Sequence, residues 1–192
     1  MNTPKLTTER LILRRFEEKD IPALFEILKD EEVNTFLPWF PLRSLGEARE
    51  FYEKRYRAVY ELPQGYRYAV CRKEDDVPFG YIDIKTDASH DLGYGLKKQF
   101  WHRGIATEAG RALLELAKAD GLPYVTATHD VRNLRSGAVM QRLGMTYRYS
   151  YRELVQPKNE HVTFRMYQIN FGGDQNFVFR GYAEEIFIEP GV

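Results

Sequence analysis

A mixed α/β domain is the fold class this sequence predicts: a mostly antiparallel sheet with a parallel central strand pair and flanking helices. Three observations carry the prediction. The strand-like runs YRYAVCR (66–72) and FGYIDIK (79–85) are joined by a charged turn at KEDD, so they should form an antiparallel hairpin. A further strand-like run, HDLGYGL (90–96), leads through QFWHRGIATEAG (99–110) into a helix whose Ala109, Leu113, Leu114 and Ala117 recur at helical spacing. The run PYVTATH (123–129) follows that helix, and strands flanking a single helix lie parallel, joined by a right-handed crossover.

The remaining elements follow in order. Residues 9–16 read as a first strand, and Ile21, Leu24, Phe25 and Leu28 mark one face of a helix. FLPWFP (36–41) is too proline-rich to continue a helix and reads as an aromatic loop. Ser44-Leu-Gly-Glu47 has the form of a capping box, opening a second helix that should run to about Tyr60. Asn133 is placed to cap a short helix whose end Gly144 signals. Two more strand-like runs lie near 145–155 and 160–170, separated by QPKN. One domain over residues 1–171 is the expected organisation. Residues 172–192 form an extension in which FVF and EIFIE look strand-forming, with Gly181 between them. Aromatic residues this dense are unusual in a disordered tail, so the extension should pack on the domain or on a second subunit of a homodimer.

Composition excludes several function classes. The chain has 192 residues, 28 basic and 28 acidic, for a formal net charge of zero. A broad basic face is therefore disfavoured, and with it bulk nucleic-acid binding. No apolar run reaches the length of a membrane span, and the N-terminus lacks the apolar core of a signal peptide, so a cytoplasmic location is expected. The single cysteine, Cys71, forms no intramolecular disulfide and reads as a small core residue. His129 and His161 are isolated in sequence, and no Cys/His spacing points to a metal.

The turn at 99–110 carries chemistry. Gly104 and Ala106 leave two positions without bulky side chains just where a helix begins, and the first turn of that helix offers N–H groups with no intrahelical partner. Such a turn is a cradle for a phosphate or pyrophosphate. It lacks the Gly-Lys-Ser/Thr ending of a P-loop. Gly93-x-Gly95 is not a dinucleotide fingerprint either, since Lys98 stands where the third glycine would be. A tight strand-to-helix connection also explains the turn alone, so a second landmark is needed. HDVRNLRSGAVMQRLGM (129–145) supplies it, placing Asn-x-x-Ser on a helix directly after the next strand.

Together, residues 78–146 resemble the GNAT superfamily of acyl-CoA N-acyltransferases, and within it the ribosomal-protein alanine and serine N-acetyltransferases. The opening TTERLILRRFEEKD (7–20) resembles the start of the same group, and the likeness spans about residues 7–171. The resemblance implies an acyl-CoA lying in a splay between the two parallel strands. It also implies transfer of an acetyl group from acetyl-CoA to a primary amine. The cofactor-binding residues so implied are Leu96, the segment Trp101, His102, Arg103, Gly104, Ile105, Ala106 and Thr107, and Asn133 on the pantetheine arm. Trp101 departs from the usual Gln or Arg of the superfamily, and a buried anchor beneath the turn explains it as well as ligand contact does.

Ser136 lies one helical turn beyond Asn133 and shares its face. By resemblance it would donate a proton to the departing thiolate, although many superfamily members use a tyrosine near this point. Asp91 stands where relatives often carry a glutamate and is the candidate base; a solvated strand-end aspartate is the competing reading. Trp39 and Phe40 are candidates for the acceptor pocket, against a core aromatic cluster, and Tyr94 either faces the acylation centre or packs into the sheet. The favoured acceptor is a protein or peptide N-terminal α-amine. The rivals are a small-molecule amine, such as a polyamine, amino acid or antibiotic, and a non-catalytic sensor of acyl-CoA.

Overall fold

The computed structural model describes residues 2–192, and its first half is a five-stranded antiparallel sheet in the order β1-β2-β3-β4-β5. The strands are β1 (Leu6–Thr7), β2 (Leu11–Arg14), β3 (Tyr66–Arg72), β4 (Pro78–Ile84) and β5 (Leu92–Leu96). The hairpin predicted around KEDD forms with Ala69 opposite Tyr81 and a bulge after Val70. Period-two alternation gives this sheet two apolar faces. Tyr66, Tyr68 and Val70 meet one core, and Ala69 and Cys71 the other. Each fully buried large side chain contributes about 1.5–3 kcal/mol, so both faces need a helical cover.

One face is covered by α1 (Ile21–Leu28) and by the helical stretch 45–60, which comprises α3 (Leu45–Tyr52), a π-helical turn (Glu53–Arg57) and α4 (Ala58–Tyr60). Ser44 caps α3 by accepting from the Glu47 N–H at 3.1 Å, while Glu47 accepts from the Arg43 N–H at 2.7 Å. The helix predicted from the capping box is therefore present, with a wide turn in its middle that periodicity does not reveal. A short helix missing from the sequence reading, α2 (Glu31–Asn34), is capped by Asp30. The other face is covered by α5 (Ile105–Ala119), whose Ala109, Leu113, Leu114 and Ala117 are buried as their spacing requires.

The second sheet has the order β6-β8-β7-β9, from β6 (Tyr124–Asp130), β7 (Thr146–Val155), β8 (Glu160–Asn170) and β9 (Ile186–Phe187). Helix α6 (Leu134–Arg142) connects β6 to β7. The two central strands do run parallel, but their pairing is one bridge, Asp91 to Thr126, beyond which β5 and β6 part. The Thr126 N–H donates to His90 O at 3.2 Å and its hydroxyl to Ser89 O at 2.6 Å, pinning the apex of the splay.

Residues 172–192 lie against the second sheet. Of the two strand-forming stretches expected there, only Ile186–Phe187 becomes a strand, opposite Ser150 and Tyr151 of β7. The segment 177–179 stays irregular because side chains take its backbone groups. Gln168 Nε2 donates to Phe177 O at 2.8 Å, the Phe179 N–H donates to Gln168 Oε1 at 2.9 Å, and Tyr149 donates to Phe179 O at 2.9 Å.

Candidate functional site

The cradle is built by two left-handed residues. His102 (φ 60°) and Gly104 (φ 72°) curl the backbone so that successive N–H groups converge, the arrangement of an anion-binding nest. Gly104 is the N-cap of α5, and no side chain caps the helix. The nearest atom to a Cβ at Gly104 would be Arg10 Nη2 at 3.7 Å, so its left-handed φ, rather than crowding, calls for glycine. The first intrahelical bond runs from the Glu108 N–H to Gly104 O at 2.9 Å, leaving the amides of 105–107 to the cleft. The N-terminal strand region braces this turn. Glu108 accepts from Thr8 Oγ1 (2.5 Å), the Arg10 N–H (2.9 Å) and Arg10 Nε (2.6 Å), while Arg10 Nη1 donates to Arg103 O at 3.0 Å. Glu108→Gln is expected to cost about 1–3 kcal/mol, the scale of charged hydrogen bonds, lowering the melting temperature and weakening acetyl-CoA binding in calorimetry. Unaltered values for both would remove the brace.

Trp101 anchors the turn from below. Its indole N–H donates to Leu96 O at 2.8 Å, and the Arg135 guanidinium sits 4.2 Å above its ring. The Leu96 carbonyl is thus engaged within the protein, although its side chain borders the cleft.

A single cleft of about 1430 Å³ runs from the cradle, through the splay, to the α2–α3 loop and the β7–β8 hairpin. It is lined by every sequence-predicted site residue except Phe40. Phe40 is 55% exposed and stays out of the lining that its neighbour Trp39 joins; its placement in the acceptor pocket is corrected. Arg103, Arg111, Arg135 and Arg142 border the cradle end, and none forms an ion pair among the described residues. Three of these, Arg111, Arg135 and Arg142, were missed in sequence because a neutral total charge conceals a local cluster. They and the open amides fit a polyanion such as the phosphate-rich end of coenzyme A.

Asn133 caps α6, its carboxamide oxygen accepting from the Ser136 N–H at 3.3 Å; its amide nitrogen has no partner among the described residues. Tyr94 spans the splay from β5 to α6. Its hydroxyl lies 2.8 Å from Ser136 Oγ and 3.0 Å from Ser136 O. Burial pushes the Tyr94 phenol well above its ordinary range, so it remains a proton donor.

At the far end Asp91 is no solvated strand-end residue. Its side chain is 15% exposed, Oδ2 pairs with Lys85 Nζ at 3.0 Å, and the buried Oδ1 has no hydrogen-bond partner. Burial raises its pKa above the usual carboxylate value, outweighing Lys85. His90 packs on Tyr124 at 5.2 Å and does not line the cleft. Tyr182, from the C-terminal extension, stacks on Tyr151 at 5.6 Å and hydrogen-bonds Thr126 Oγ1 at 2.6 Å, forming the wall beside Asp91. Trp39 lines the opposite side, its indole N–H donating to Asn34 Oδ1 at 3.1 Å. Lys158, at the β7–β8 hairpin, donates to Asn34 O (2.8 Å) and Thr35 O (3.0 Å) and straps the cleft across its mouth.

Beneath the floor, Gly93 and Gly95 explain the unassigned G-x-G. A Cβ on Gly93 would fall 2.9 Å from Asp83 Oδ1, and one on Gly95 would fall 2.6–2.8 Å from the Tyr81 ring and hydroxyl. The glycines let those two side chains lie across β5 and reach the cleft.

Known proteins resemble this chain in sequence and in fold. The sequence profile of the acetyltransferase (GNAT) domain matches residues 10–146. The uncharacterized N-acetyltransferase YnaD of Bacillus subtilis is 26% identical over 159 residues, covering 81% of this chain and 90% of its own. The crystal structure of a GNAT-family acetyltransferase from Bacillus anthracis superposes with a TM-score of 0.76 at 25% identity, over 88% of this chain and 99% of that one. A ribosomal-protein-S5-alanine acetyltransferase from Vibrio fischeri shares the fold, with a TM-score of 0.71 and 19% identity over 87% and 96% of the two chains.

Proposed function

The chain belongs to the GNAT acetyltransferase family, and from that premise we propose that it moves an acetyl group from acetyl-CoA to a primary amine, most favourably a protein or peptide N-terminal α-amine, by direct attack in a ternary complex. The observation that carries the reading is the continuity of one cleft. The amide cradle opens at one end, the unpartnered Asp91 oxygen at the other, and the Tyr94–Ser136 pair lies between them.

The reading assigns each group a task. The amides of 102–107 and the helix dipole hold the pyrophosphate of acetyl-CoA, with Arg103 and its neighbours adding charge. Asn133 offers its free amide nitrogen to the pantetheine arm. Asp91 takes the proton of the incoming ammonium. The neutral nitrogen then attacks the thioester carbonyl, the carbon–sulfur bond breaks and the thiolate takes a proton from Ser136; the second proton the nitrogen sheds as it becomes an amide restores the serine's, and the one held by Asp91 leaves to solvent. When Tyr94 donates to Ser136 Oγ, the serine's own proton is free to face the cleft. An α-amine suits this site because about one in ten is already neutral at pH 7, against fewer than about one in a thousand lysine amines.

The Lys158 strap favours a slender acceptor, either a chain terminus or a small-molecule amine. Thiol release with acetyl-CoA against short peptides, polyamines and amino acids decides between them, and the absence of turnover with every amine would leave an acyl-CoA sensor. Ser136→Ala is expected to lower kcat by about tenfold or more, at the lower end of general acid catalysis, with the acetyl-CoA dissociation constant unchanged. A kcat equal to wild type removes the serine from the proton path.

A further inference from the structure

The acceptor end of the cleft contains two hydrogen-bond donors that nothing in the protein satisfies. Arg55, on the π-helical turn, lines the cleft with its guanidinium 4.6 Å from the Trp39 ring centroid and 5.5 Å from that of Phe51. It has no carboxylate partner among the described residues. The other cations at this end are committed: Lys85 to Asp91, Arg67 to Asp83 at 2.8 Å, Arg132 to Asp130 at 2.6 Å, and Lys158 to two carbonyls. The second donor is the Tyr81 hydroxyl, on a side chain 5% exposed that also lines the cleft and has no partner. The two share one cluster: Tyr81 belongs to the buried group against which Trp39 and Phe51 pack, and those are the two rings that Arg55 covers. Asp83 does not fill the role of anion to Arg55, because Arg67 already neutralises it.

We propose that Arg55 and the Tyr81 hydroxyl form an anion subsite, so that the acceptor carries a carboxylate near the amine that faces Asp91. The inference rests on the acceptor reading of this end of the cleft and deepens it. The stacking on Trp39 holds the guanidinium plane in place and keeps its edge free for two parallel hydrogen bonds. A π-helical turn inside a helix is a frequent device at functional sites, and here it carries the arginine concerned. The anion belongs either to an acidic side chain close to a peptide N-terminus or to the main carboxylate of a free amino acid, and paired acceptors separate these sources.

The experiment measures acetyl-CoA turnover on matched pairs: C-terminally amidated peptides Ala-Asp and Ala-Asn, and a free amino acid against its amide. The anionic member of one pair should be preferred by about tenfold or more in kcat/KM, the scale of a charged hydrogen-bond pair. The pair showing the preference identifies the source. R55Q should erase it, with acetyl-CoA affinity, melting temperature and the neutral acceptor's kcat/KM all close to wild type; R55K should restore part of it. Equal turnover of both members, or a preference that survives in R55Q, overturns the anion subsite and leaves the acceptor reading intact. Normal acetyl-CoA binding with no turnover of these four or of the polyamines overturns the acceptor reading itself, and the subsite falls with it.

Discussion

Asp91→Asn is expected to lower kcat/KM by about 10²-fold at neutral pH, the lower range for removal of a general base, while the protein remains folded. The reason lies in the environment of the carboxylate. Burial raises its pKa above the usual value, so the native state prefers the neutral form more than the unfolded chain does. The sign follows from linkage: the stabilising contribution is complete below the unfolded pKa and is lost as pH rises through the folded one. At pH 7 the ionised carboxylate is therefore a destabilising group, and an isosteric amide removes the penalty. Lys85, whose side chain is 43% exposed, regains water when its partner is neutralised. The variant should melt no lower than wild type, which separates chemistry from folding. Wild-type kcat/KM should fall on acidification as Asp91 takes up its proton, and D91N should lose that limb. A lysine-type acceptor, almost wholly protonated at pH 7, should suffer more than an α-amine. A pH profile unchanged by the substitution would assign the proton to another group.

The cradle, Asn133 and Ser136 were legible in sequence because each depends on local chemistry: a left-handed glycine before a helix, a cap, and a neighbour one turn on. The hairpins and the two amphipathic helices were legible for the same reason. The acceptor end was legible only in part. Asp91 reads equally as a base and as a solvated strand end until the extension brings Tyr182 across 91 residues of chain to wall it in. Arg55 reads as one charge in EKRYR until the π-helical turn directs it onto Trp39. Phe40 was misplaced because periodicity gives no facing for an irregular loop. The splay was equally invisible: the strand sequences specify β5 and β6, but not that Tyr94 reaches across to α6 rather than β6.

Ending the chain after Phe171 should have the largest effect on stability. Tyr149, Tyr151 and Met166 are 1%, 2% and 0% exposed, and their cover comes from Val178, Tyr182, Ala183 and Ile186 of the extension. Glu189 also pairs with Arg165 at 2.6 Å, and the Gln168 side chain, wholly buried, has both ends of its amide bonded to 177–179. Exposing even part of this surface costs roughly 3–5 kcal/mol at about 1.5–3 kcal/mol per large side chain, set against a total stability of about 5–15 kcal/mol. For a chain of this size that is a fall of about 6–20 °C in melting temperature. Because the shortened chain risks not folding, Tyr182→Ser in the full chain provides the second test. It keeps the other contacts of the extension and deletes the wall beside Asp91. Acetyl-CoA affinity should persist, since the cradle lies at the other end of the cleft, while KM for the amine rises by about tenfold, the scale of one or two lost packing and hydrogen-bond contacts. If the shortened chain melts with the full one and Tyr182→Ser leaves KM alone, the extension is neither a structural cover nor part of the acceptor wall.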